Sequence, residues 1–134
     1  MARLLGLLVL CFAPPALTTV VTLLLPRSGR RSGCSIEQAY HNALCLTLGK
    51  RGIEFEKEPE IPVIFEDVEV GTHRLDILIP DELVVELKAI KQLERVHFAV
   101  VRSYLRATGI EDGLILNFAK PTLEIRRVGG NVPV

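Results

Sequence analysis

The sequence predicts an α/β domain: a mixed β-sheet flanked by α-helices, in the order helix, three or four strands, helix, two strands (α-β-β-β-α-β-β in its shorter form). Three observations predict it. Apolar residues recur at spacings of three and four in residues 35–50 and again in 91–107, which is the period of one helix face. Between and after these stretches the apolar residues alternate or run together over strand lengths, bounded by turn residues. The chain has 134 residues, 49% hydrophobic and 24% charged, enough for one packed domain and incompatible with a disordered one. Helices packed on a sheet are the standard way to cover such strands.

The first helix is expected over residues 35–50. Ile36, Ala39, Tyr40, Ala43, Leu44 and Leu48 share a face, Ser35 is placed to cap the start, and Gly52 to stop the end. Residues 61–65 and 68–70 flank Glu66 and Asp67, which reads as a hairpin. Residues 74–79 (RLDILI) alternate, with Leu75, Ile77 and Ile79 on one side and Asp76 on the other. After a turn at Pro80 and Asp81, residues 83–87 (LVVEL) read as a central strand, apolar almost throughout. The second helix, 91–107, would bury Leu93, Val96, His97, Val100, Tyr104 and Leu105. Residues 114–118 (LILNF) form a buried strand and 123–128 (LEIRRV) an edge strand.

The formal charge of zero conceals two parts. Residues 1–33 hold four arginines and no acid, whereas the rest holds 12 basic and 16 acidic residues. A wholesale basic coat for nucleic acid is excluded for this acidic body; a local basic patch is not. Residues 1–32 form an apolar leader and linker, and 33–134 the working domain. Residues 4–25 are uncharged and long enough to span a bilayer, with Pro14 and Pro15 in the middle. Three readings are open: a secretory signal peptide, a membrane anchor, or a segment foreign to the mature protein. As an anchor it would associate with a membrane through residues 4–25, and Arg27, Arg30 and Arg31 after it would keep the domain cytoplasmic. Cys11, Cys34 and Cys45 are too few for a disulfide scaffold and lack metal-ligand spacing, which favours a reducing compartment.

Two carboxylates and a lysine carry the chemistry. Asp76 is the one acid in its apolar strand. Glu86 and Lys88 lie two apart on the next strand and so point to one face. The turn at Pro80 would bring the two strands side by side. Charges inside a buried strand are costly unless paired or metal-bound. Carboxylates are hard oxygen ligands suited to Mg²⁺ or Mn²⁺, which would activate water and offset charge on a phosphodiester. A plain carboxylate–lysine ion pair is the competing reading of the same spacing.

Asp76 followed by Glu86-Leu87-Lys88 resembles the D…(D/E)-x-K signature of the PD-(D/E)XK nuclease superfamily. More narrowly, Glu37 to Tyr40 on the first helix, Arg74-Leu75-Asp76, Leu116-Asn117-Phe118 and Arg126-Arg127-Val128 resemble, in order, the small GxxExxY proteins. The resemblance implies a restriction-endonuclease-like core and metal-dependent cleavage of nucleic acid, DNA foremost. It implies Asp76, Glu86 and the backbone carbonyl of Leu87 as ligands of Mg²⁺ or Mn²⁺, Lys88 as the catalytic lysine and Glu37 as an auxiliary acid. The chain departs from that pattern in three places. Three residues separate Gly33 from Glu37 where the family has two, Val100 stands where the family carries a glutamine, and the apolar leader replaces an amphipathic helix. The Val100 departure keeps a second reading open, a non-catalytic nucleic-acid-binding or protein-interaction module on the same fold.

Lys91, Arg95, Arg102 and Arg106 fall on one side of a helical wheel and are candidates to neutralise phosphates. The alternating Glu54, Glu56, Glu58 and Glu60 would repel nucleic acid from their face. His41 and His73 lack metal-ligand partners at recognisable spacing and read as surface or hydrogen-bonded residues.

Overall fold

The computed structural model describes residues 35–119 and 122–129. They fall into two compact units, one ending at Ile53 and one starting at Glu54. The leader, Cys11 and Cys34 lie outside the described residues. Among the described residues no helix is long and apolar enough to cross a membrane.

The first unit holds α1 (Ile36–Lys50). Ser35 keeps an extended backbone and its hydroxyl accepts the Gln38 N–H at 3.1 Å, satisfying one of the N–H groups that a helix start leaves open. At the other end the Ile53 N–H donates to the Leu48 carbonyl and the Gly52 N–H to that of Gly49, both at 3.1 Å. This paired closure needs a left-handed residue, and Gly52 supplies it at φ +68°. Tyr40, Leu44 and Leu48 are buried at successive four-residue steps, as the periodicity predicts. Burial pushes the Tyr40 hydroxyl pKa above its ordinary value.

The second unit holds β1 (Glu56–Lys57), β2 (Glu60–Phe65), β3 (Val68–Arg74), β4 (Ile77–Ile79), β5 (Leu83–Lys88), α2 (Arg95–Thr108), β6 (Asp112–Asn117) and β7 (Glu124–Gly129). Five of the strands form a mixed sheet in the order β1-β4-β5-β6-β7, in which β5 and β6 are parallel and the other neighbours antiparallel. The parallel pair needs a crossover, and α2 provides it. β5, the LVVEL segment, lies at the centre as expected.

Five strands separate the two helices, against the three or four expected. The cause is a kink in one long hairpin. β2 pairs with β3, and β1 continues the same register onto β4, Lys57 opposite Ile77 and Glu60 opposite Arg74. Between them Glu58 turns left-handed at φ +51° and Pro59 has no N–H to donate, so the ladder bends there. Glu58, expected to alternate with its neighbours on one solvent-facing strand, instead pairs with Arg74 at 3.3 Å. The hairpin tip follows the reading of the sequence: Glu66 and Asp67 take φ +48° and +62°, the conformation that matches the twist of a two-residue hairpin.

The core gathers Leu78, Val84, Ile115 and Val128 of the sheet with Val101 and Leu105 of α2 and with Ile110. The expected helix stripe holds in part, since Leu105 is buried and Leu93 and Tyr104 pack against the core, and in part is corrected. Val96 is 57% exposed, whereas Val101 is fully buried. Two apolar stripes overlap on this helix, and the sheet selects the one through Val101 because Gly113 lies opposite. A Cβ on Gly113 would come within 2.7 Å of Val101 Cγ1. Gly113→Ala is therefore expected to cost about 1–3 kcal/mol by overpacking, read by denaturant unfolding. The helix also starts at Arg95, four residues later than expected, because the Glu94 N–H is taken by His97 Nδ1 at 2.8 Å. His97 thus closes the helix start rather than packing in the core.

On β6 the buried Asp112 accepts two hydrogen bonds from Arg127 of β7, at 2.6 and 2.8 Å, while the Arg127 side chain stays 62% exposed. The two halves of this pair are not equivalent. Arg127→Ala leaves a buried carboxylate without its partner and is expected to cost roughly 2 kcal/mol. Asp112→Ala frees an arginine that water can solvate and should cost about half as much. Thermal unfolding of both variants checks the order.

Candidate metal and catalytic site

Asp76 does not lie inside a strand. β3 ends at Arg74 and β4 begins at Ile77, so Asp76 occupies the kink between them. Its backbone still pairs across the hairpin, the Glu58 N–H donating to its carbonyl at 2.9 Å. The bend turns its side chain toward β5, where Oδ2 accepts the Leu87 N–H at 2.7 Å. A carboxylate thereby takes the place a backbone carbonyl would hold in an unbroken ladder. The kink set by Pro59 on one strand positions an acid on the other.

Glu86 and Lys88 share a face of β5, as the two-residue period requires. Lys88 Nζ donates to Glu86 Oε1 at 2.8 Å. Glu86 is 5% exposed. Its second oxygen, Oε2, is buried and accepts no hydrogen bond among the described residues. Burial first, then the neighbouring Asp76 carboxylate, which comes within hydrogen-bonding reach, raise the Glu86 pKa to about 7; Lys88 works in the opposite direction. Two acceptors that face each other are satisfied when a proton or a cation lies between them.

The sequence reading missed one neighbour of this pair. Tyr104 of α2, read as part of an apolar stripe, feels both carboxylates. Burial, then Glu86, then Asp76 push its hydroxyl up to about 12, so it stays a neutral O–H donor at physiological pH. The His73 ring meets Tyr104 edge-on at 5.0 Å, and its Nε2 shares a hydrogen bond with Ser103 Oγ at 2.8 Å. Their approach depends on how β3 lies against α2, which local spacing does not encode.

Asp76, Glu86 and Lys88 are thus brought together, with Leu87 held between the latter two by its bond to Asp76. Glu37 is exposed in the first turn of α1 and belongs to the other unit. Of the four basic residues, Arg95, Arg102 and Arg106 lie on α2, whose period places them on one side. Lys91 precedes the helix and leaves that group, because the helix begins at Arg95. Arg95 and Arg106 are exposed and Arg102 is half-buried.

The donor set fits a hard divalent cation. The Oε2 atom of Glu86 lacks a donor, Asp76 stands beside it, and both are oxygen ligands. Among the described residues no cluster of three or more His, Cys, Asp or Glu side chains assembles. A cation here would draw the rest of its shell from backbone carbonyl and water, a habit of Mg²⁺ and Mn²⁺ and not of structural zinc.

Comparison with known proteins agrees with the architecture. A sequence model of the PD-(D/E)XK nuclease superfamily matches residues 30–128. A solved structure described as the crystal structure of SSO0001 superposes with a TM-score of 0.54 at 19% identity, over 70% of this chain and 50% of that one. At that identity the likeness is one of fold, and this chain spans half of that protein's length. No match is found among curated proteins. The mixed five-stranded sheet with its helices is a restriction-endonuclease-like fold, and the chain belongs to the PD-(D/E)XK nuclease superfamily.

Proposed function

We propose that the protein is a metal-dependent nuclease that hydrolyses phosphodiester bonds in DNA, with Asp76 and Glu86 as ligands of Mg²⁺ or Mn²⁺ and Lys88 as the catalytic lysine. The observation that carries this reading is the buried Glu86 carboxylate beside Asp76, one of whose oxygens, Oε2, has no hydrogen-bond donor among the described residues. A Lys88–Glu86 ion pair alone leaves the second Glu86 oxygen, Oε2, without a donor. Superfamily membership supports the reaction class.

In this reading a divalent cation, when bound, supplies Lewis-acid stabilisation of the phosphate and lowers the pKa of water. Asp76 and Glu86 hold it, joined by the Leu87 carbonyl. Lys88 points an N–H at the same place and offsets charge on the phosphoryl oxygens or orients the attacking water. Tyr104 contributes a neutral O–H beside the carboxylates. Arg95, Arg102 and Arg106 neutralise phosphates farther along the strand. Glu37 is proposed as an auxiliary acid, a role tested by Glu37→Gln.

Incubation of the full chain with plasmid DNA and Mg²⁺ or Mn²⁺, beside Asp76→Ala and Lys88→Ala, tests the reading. Cleavage by the unaltered protein alone supports it. Equal cleavage by all three, or none by any, overturns it. The alternative of a non-catalytic module rests on Val100, a half-buried apolar residue where the GxxExxY resemblance would place a glutamine. It predicts DNA binding with no cleavage and no Asp76-dependent affinity for Mn²⁺.

A further inference from the structure

Lys88 is the last residue of β5, and strand ends are where ladders open first. Yet its Nζ holds a defined place 2.8 Å from Glu86. The explanation lies across the parallel ladder, where Asn117 is the register partner of Lys88. Asn117 is completely buried. Its Nδ2 donates to the Ile90 carbonyl at 2.8 Å and to Glu124 Oε2 at 3.3 Å. Its Oδ1 accepts the Ile90 N–H at 3.1 Å and the Ala119 N–H at 3.3 Å. A carboxamide has two donor hydrogens and two acceptor lone pairs, and all are used. The pair of hydrogen bonds to Ile90 reproduces a ladder rung with a side chain in place of backbone. Between these contacts the Phe118 N–H donates to the Lys88 carbonyl at 2.8 Å.

We propose that Asn117 is the positioning residue of Lys88. The main chain is held on both sides of the lysine, at Leu87 by Asp76 and at Ile90 by Asn117, so β5 cannot fray where its reactive group is attached. An amide alone serves this purpose among side chains of that size. Aspartate would set a carboxylate against the Ile90 carbonyl and Glu124, and leucine would leave the Ile90 N–H and carbonyl unpaired. The inference rests on the nuclease reading for its activity readout and on geometry for the rest.

The test compares the full chain with Asn117→Leu, Asn117→Asp and, as a control for lost stability alone, Val128→Ala in the core. Three quantities are read: kcat and KM for metal-dependent cleavage, Mn²⁺ affinity, and the ¹⁵Nζ signal of Lys88 with amide exchange at Ile90. The Asn117 variants are expected to lose about 100-fold in kcat with KM and Mn²⁺ affinity nearly unchanged, and to lose the Lys88 signal. Val128→Ala should unfold earlier yet keep kcat within about twofold. Asn117 variants that keep kcat and the Lys88 signal, or a Val128→Ala loss of equal size, would overturn the proposal. If the Asn117 variants do not fold, the unaltered protein decides. The Ile90 amide should exchange as slowly as those within β5, and rapid exchange beside an intact Lys88 signal contradicts the role. If no DNA is cut under any metal, the nuclease reading fails while the Lys88 signal and Ile90 exchange still judge Asn117.

Discussion

Asp76→Ala is expected to abolish metal-dependent DNA cleavage, lowering kcat by roughly a thousandfold or more, or about 4 kcal/mol of transition-state stabilisation. The size follows from the site's small donor set. With Asp76 and Glu86 as the proposed ligands, loss of Asp76 would leave Glu86 alone, and the Leu87 N–H loses its acceptor as well. On the proposed reading Lys88→Ala should cost about 100- to 1000-fold, because it removes the charge proposed to offset that of the phosphate while Asp76 and Glu86 stay in place. The two variants should separate in Mn²⁺ affinity, which Asp76→Ala loses and Lys88→Ala retains. Single-turnover cleavage with parallel metal titration reads both.

The second large effect is on stability and reverses sign with metal. The Glu86 pKa is raised from 4.5 to about 7 in the folded protein. Below the unfolded value both states carry the proton, and the stabilisation linked to it is fully present. As pH rises through the folded value, that stabilisation is lost, because the folded state must give up a proton the unfolded chain released earlier. The metal-free protein should therefore be about 3 kcal/mol less stable at pH 8 than at pH 4.5 on account of this group. Glu86→Gln should remove that share of the pH dependence. Saturating Mn²⁺ should invert it, since the cation competes with the proton and binds the charged pair. Thermal unfolding of both proteins at several pH values, with and without Mn²⁺, gives the answer. An identical pH dependence in both would contradict the assignment.

Much of the fold was legible because the decisive interactions are local. Ser35, Gly52, Glu66 and Asp67 each act through hydrogen bonds or dihedral preferences within a few residues. The LVVEL run announces a strand covered on both faces. The kink was not legible, since its signal is one proline on the strand opposite the residue it repositions. Of the expected α2 stripe Leu105 is buried and Leu93 and Tyr104 pack against the core, but Val96 is exposed and Val101 is buried instead, opposite a glycine on β6. That Asp76, Glu86 and Lys88 come together was readable from spacing. Tyr104 and Asn117 were not, because the contacts that matter join distant residues, 18 apart from Glu86 to Tyr104 and 27 apart from Ile90 to Asn117. Asn117 left one trace, a lone polar residue inside LILNF that no apolar strand needs.

Calorimetric titration of the full chain with Mn²⁺ at pH 7, repeated in buffers of different ionisation enthalpy and on Asp76→Asn, tests the central claim most directly. The account predicts binding at one site with release of about half a proton, as expected for a carboxyl pKa near the working pH, and its loss in Asp76→Asn. Equal binding by both proteins, or by neither, would contradict it.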